Sequence, residues 1–201
     1  MYCDSFAIEK DEGTLRGMQD EIFSSCIPHP SSFRTLIIGL GNPLLGDDGV
    51  GWRVVEQLER AIANCELRIK NYEFDYHSGG GLALMERLIG YDDAIVVDAI
   101  NTGRAPIGTV SVMALDELPN PALGHFGSAH ETNLQTALQV GRALNATLPN
   151  QITIVAIEAR DVYDFSETLS PALADAVPRA VESVLNLLHK QLDSEVAHSR
   201  I

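Results

Sequence analysis

The chain has 201 residues, a single-domain length, and its 45% apolar and 21% charged content is that of a globular protein. Its 28 acidic residues against 14 basic ones leave a net charge of −14, which repels phosphate backbones and sets nucleic acid aside as a partner. Apolar runs such as Ala94 to Val97 fall far short of the roughly 18 residues that span a bilayer, so no membrane partner is expected either.

Residues 1–33 mix charges with short apolar stretches and end in the breaker Pro28-His29-Pro30-Ser31-Ser32. A signal peptide would run from a basic start to an apolar core, and that order is absent, so a mobile N-terminal extension is expected. Cys3, Cys26 and Cys65 are odd in number, widely spaced and without a Cys-x-x-Cys pair. They read as free thiols of a reducing compartment, which makes the expected location cytoplasmic. Residues 34–192 are expected to form one α/β domain, and 193–201 a tail.

Thr35 to Leu40 is wholly apolar, as in a central strand covered on both faces. A glycine-rich turn follows, and then Val50, Val54, Val55, Leu58 and Ile62 recur at helical spacing. Leu67 to Phe74 predicts a second strand, Ser78 to Gly81 a loop, Leu82 to Ile89 a short helix, and Ala94 to Val97 a third strand ending at Asp98. Thr109 to Ala114 predicts a fourth strand. Too few residues precede it for a parallel crossover, so it should run antiparallel. After the irregular stretch Leu115 to Gly127, the pattern predicts a helix over Ser128 to Ala146, a last strand over Ile152 to Ile157, and a closing helix over Pro171 to Leu192. Alternating strands and helices imply a three-layer α/β sandwich: a mostly parallel five-stranded sheet with one antiparallel strand and helices on both faces.

In such sheets ligands collect beyond the carboxyl ends of the strands. Three segments should converge there: the turn Gly39-Leu40-Gly41-Asn42-Pro43-Leu44-Leu45-Gly46-Asp47-Asp48-Gly49, Asp98 after the third strand, and His130. Ser128 and Glu131 have capping-box spacing, which puts His130 in a first helical turn, where an imidazole stays neutral. Two carboxylates and a neutral imidazole suit a divalent metal such as zinc or nickel, with positions left open for substrate or water. Each residue also has an ordinary reading. Asp47 and Asp48 could cap the first helix, Asp98 could end its strand in a turn, and His130 could be a surface histidine. His125 lies in the irregular stretch and could be a second ligand or a loop residue. The turn is not a dinucleotide fingerprint, because Leu44 stands where its third glycine belongs.

The segment Ile38-Gly39-Leu40-Gly41-Asn42-Pro43-Leu44-Leu45-Gly46-Asp47-Asp48-Gly49-Val50-Gly51 resembles the opening signature of the nickel–iron hydrogenase maturation proteases. Asp92 to Ile100 resembles their second block, Ser128-Ala129-His130 the third, and Thr168-Leu169-Ser170-Pro171 the last. The resemblance, which runs from about Leu36 to Leu188, implies a hydrolase. Such an endopeptidase removes the C-terminal extension of a hydrogenase large-subunit precursor after nickel insertion. It places the family's two acidic ligands on Asp48 and Asp98 and its histidine on His130, as catalytic and metal-binding residues. The nickel would be carried by the substrate, with no permanently bound cofactor. Two departures stand out. His77-Ser78-Gly79-Gly80-Gly81 replaces an Asp-Gly-Gly-Thr segment associated with substrate choice, and Ala159 replaces the proline of an Ile-Glu-Pro segment. Two alternatives fit the chain less well: a peptidyl-tRNA hydrolase, whose family also opens with Gly-Leu-Gly-Asn-Pro, and a nickel-checking chaperone that cuts nothing.

Overall fold

The computed structural model describes residues 33–64, 71–117, 134–160 and 165–198. The apolar run Thr35–Leu40 is β1, buried at every position. The other strands are β2 (Tyr72–His77), β3 (Asp93–Ile100), β4 (Val110–Ala114) and β5 (Gln151–Glu158). They form one sheet in the order β2-β1-β3-β5-β4. All neighbours are parallel except β4, which pairs antiparallel with β5 and occupies an edge, as the short connection before it requires. The helices are α1 (Val50–Asn64), α2 (Gly81–Leu88), α3 (Leu134–Ala143) and α4 (Pro171–His198).

Two cores form, one on each face, because successive side chains of a strand point to opposite sides. Ile37, Ile95, Val97, Val155 and Ile157 meet Val50, Val54, Val55 and Leu58 of α1 and Leu173, Ala176, Ala180 and Val184 of α4. On the other face Ile38, Val96 and Ile154 meet Leu84 and Leu88 of α2 and Leu134, Ala137 and Leu138 of α3. Burial holds this assembly together. Each fully buried leucine stabilises by about 1.5–3 kcal/mol, whereas an exposed ion pair such as Arg87–Asp75 contributes at most about 1 kcal/mol.

Most element bounds shift by a few residues from the sequence expectation, and three of the shifts bear on the site or the core. β2 runs on to His77, because the alternation Tyr72-Glu73-Phe74-Asp75-Tyr76-His77 continues past Phe74; residues 67–70 of the expected strand lie outside those described. Glu73 and Asp75 on its polar face are held by Arg34 and Arg87. β3 does not end at Asp98: Ala99 and Ile100 continue the ladder against Ile157 and Glu158 of β5. The closing helix passes Leu192 and reaches His198, since no glycine or proline follows to stop it. Of the helix expected over Ser128 to Ala146, Leu134–Ala143 is helical, and residues 128–133 lie outside those described. Residues 1–32, with Cys3 and Cys26, and also Cys65, likewise lie outside.

Candidate functional site

The carboxyl edge of the parallel strands is where the chain gathers its buried acids. The strand order reverses between β1 and β3, which makes the crevice between them the switch point at which open α/β sheets take ligands. β1 leads there into the turn carrying Asp48. Gly41 permits that turn: its φ is +117°, and a Cβ on it would strike the Asp48 carbonyl oxygen. The chain thus folds back on itself, and Leu44 N–H donates to the Asn42 side chain at 3.0 Å and Leu45 N–H to the Asn42 carbonyl at 3.0 Å. A single 3-10 turn, Gly46–Gly49, follows and packs on β3.

Asp48 is fully buried, and its Oδ2 accepts the Asn42 backbone N–H at 2.6 Å. Asp98 is fully buried within β3, in register with Ala156 of β5. It lies between Val96 and Ile100 and so faces the side covered by α2 and α3. The turn reading of Asp98 is therefore corrected: a residue inside a paired strand cannot end it. Asp47 and Asp48 both lie inside the 3-10 turn, whose capping position is Leu45 and receives no side-chain cap bond. Asp47 instead reaches across to the last helix, and its Oδ1 accepts the Ser170 N–H at 2.6 Å, just before Pro171 opens α4.

His130 and His125 lie outside the described residues. Among the described residues no three His, Cys, Asp or Glu side chains group closely enough to hold a metal ion. The chain nonetheless brings Asp48's turn against the strand that bears Asp98. α3, which follows His130 in the chain, begins at Leu134 in the core of the same face.

Two residues without an assigned role in the sequence belong to this edge. Glu158, at the end of β5, is 4% exposed and accepts three hydrogen bonds: Thr102 N–H at 2.8 Å, Thr102 Oγ1–H at 2.7 Å and Gly103 N–H at 2.8 Å. It thereby shapes the loop that leaves β3 beyond Asp98. His77 ends β2 in register with Leu40, on the face that Asp98 also takes. Its carbonyl accepts the Gly41 N–H at 3.1 Å, so β2 helps to hold the turn. Burial holds the His77 imidazole below its ordinary pKa; Asp75 pulls the other way and Arg87 adds to the lowering. Period-two alternation through residues 72–77 was the signal that could have placed His77 at the edge.

A cavity of about 520 Å3 lies at the opposite end of the sheet, among Leu115, Gln139, Arg142, Asn150 and Gln151. It opens by the start of β5 and is set apart from the buried acids. Among the described residues no helix is long and apolar enough to cross a membrane.

Residues 52–187 match a family model described as hydrogenase maturation protease. The match begins just beyond Asp48 and includes Asp98 and His130. A hydrogenase expression/formation protein, HupD, of Rhizobium leguminosarum bv. viciae is 31% identical over 161 residues, covering 79% of this chain and 76% of its own length. A putative hydrogenase maturation protease of Methanocaldococcus jannaschii is 32% identical over 162 residues, 77% of this chain and 96% of its own. The solution structure of an endopeptidase from Escherichia coli superposes with a TM-score of 0.63 at 26% identity, covering 79% of this chain and 94% of the other.

Proposed function

The chain belongs to the hydrogenase maturation protease family and is a peptidase, and from that premise we propose that it removes the C-terminal extension of a nickel-loaded hydrogenase large-subunit precursor. The observation that carries the proposal is the pair of fully buried carboxylates, Asp48 in the turn that follows β1 and Asp98 within β3, the strands that flank the sheet's switch point.

Carboxylates and imidazole together match the ligand preferences of a divalent ion such as nickel. Asp48, Asp98 and His130 would engage the nickel that the precursor carries and so fix the scissile bond beside them. Held that way, the substrate's ion polarises the carbonyl or activates a water, and the protein supplies position and a general base. Asp48 or Asp98 takes the base role. The Asn42 N–H that donates to Asp48 holds that carboxylate oriented in the absence of substrate. The partner is the precursor polypeptide, and the three widely spaced cysteines favour the cytoplasm as the place where the chain works.

The test is processing of a nickel-loaded precursor, followed by mass spectrometry. Asp98→Asn and His130→Ala should each slow cleavage by roughly a hundredfold or more. Undiminished cleavage by both variants would remove the proposed site, and an unchanged precursor mass with the native chain would favour a chaperone instead.

A further inference from the structure

Most of the molecule's large apolar side chains are buried, yet Phe165 is 90% exposed and Leu44, beside it, is 50% exposed. A lone surface hydrophobe is ordinary. These two are not carried on a free loop tip. The Ser166 N–H donates to the Leu44 carbonyl at 3.1 Å and the Gly46 N–H to the Ser166 carbonyl at 2.7 Å, forming a parallel bridge between Leu45 and Ser166. The same segment is tied twice more: Asp47 accepts the Ser170 N–H, and Arg53 Nη2 donates to the Glu167 carbonyl at 3.1 Å. One of the two bridged segments runs directly into Asp48, whose N–H donates to the Leu45 carbonyl at 3.1 Å.

Water gains nothing from this arrangement. An apolar pair fixed on a braced backbone has already met the ordering cost that binding would otherwise impose. An exposed apolar patch of about 300–600 Å2 on a monomer is often functional. The patch is also too small for a second copy of the chain. A phenylalanine and a leucine together offer roughly 300 Å2, against about 800 Å2 per partner in a stable interface. Its size suits one side chain of an extended polypeptide, and its place is beside the loop that bears Asp48.

We infer that Phe165 and Leu44 form a specificity subsite, which receives an apolar side chain of the precursor next to the peptide bond to be cut. The inference rests on the proteolytic reading above for the identity of the polypeptide. Phe165 and Leu44 position substrate and touch no reacting atom. Their contribution should appear in binding and KM rather than in kcat.

The experiment uses the full-length chain and an unprocessed, nickel-loaded hydrogenase large subunit from the same organism as the probe. Precursor affinity is measured by surface plasmon resonance, and kcat and KM by processing. Phe165→Ser should raise both Kd and KM roughly tenfold with little change in kcat, and Phe165→Leu should restore most of the loss. Equal Kd and KM in the native chain and Phe165→Ser would overturn the subsite. Weakened binding by Phe165→Ser to a precursor that the native chain does not cut would leave the subsite standing and overturn the proteolytic reading. Absence of any binding by the native chain would overturn both. An unchanged thermal unfolding midpoint for Phe165→Ser, expected of so exposed a residue, separates lost recognition from lost folding.

Discussion

Asp47 and Asp48 are chain neighbours, both buried, and their carboxylates serve different partners. Asp47 accepts the N–H of Ser170 and so ties the first turn to the entrance of α4. Asp48 is turned the other way, onto the Asn42 N–H beside β1. Their order in the sequence is uninformative about this, because a 3-10 turn rotates successive side chains by about 120°. His77 carries a consequence for pH at the same scale. Its folded-state pKa lies below the ordinary value of about 6.5, chiefly because burial disfavours the imidazolium. The unfolded chain therefore takes up this proton at a higher pH than the folded one does. The stability involved is whole above about pH 6.5 and is lost as pH falls through the lower folded value. A His77→Gln variant should lose less of its melting temperature between pH 7 and 5 than the native chain, as read by calorimetry. Parallel declines would show that His77 is not a source of the acid sensitivity.

At the scale of elements, the first helix owes its position to two glycines. A Cβ on Gly39 would stand 2.6 Å from the Gly51 carbonyl oxygen, and one on Gly51 would overlap the carbonyl oxygens of Leu40 and Val97. α1 therefore lies directly on the backbones of β1 and β3, with no side chain between. That close seat draws the 3-10 turn and Asp48 down onto the switch point. Gly51→Ala would force backbone against backbone, where no rotamer change relieves the overlap. It should destabilise by about 1–3 kcal/mol or more, measured by urea unfolding, and should reduce processing through displaced Asp48. Stability equal to the native chain would mean that α1 can lift without cost. The strands follow a similar economy. β1 is buried at every position and β3 from Ala94 on, and apart from Asp98 their buried residues are mostly apolar, whereas β2, at an edge, alternates and keeps Glu73 and Asp75 as partners for arginines.

For the molecule as a whole, the sheet order decides which residues meet. Asp48 and Asp98 are fifty positions apart, and the adjacency of β1 and β3 brings the turn that bears the one against the strand that bears the other. Net charge acts at this scale too. With a net charge of −14, the chain should not retard tRNA in a gel-shift at low salt. A retarded band that fades as salt rises would revive the peptidyl-tRNA hydrolase alternative.

The sequence by itself determined the α/β class, the antiparallel fourth strand and the acids worth testing. Each of those follows from local pattern: apolar runs, helical spacing, and a connection before β4 too short to cross back in parallel. The alternation through His77 carried the end of β2, but local pattern could not mark the end of β3, because Asp98 is a polar residue kept in its strand by pairing with β5, far along the chain. Nor could it show that Asp47 serves α4, that Glu158 gathers the loop after β3, or that Phe165 stays in water while Leu84 and Leu58 do not. Those outcomes were settled only by tertiary structure, since each depends on which distant segment comes to lie alongside, and a hydrogen bond or a buried surface exists only once both of its sides are present.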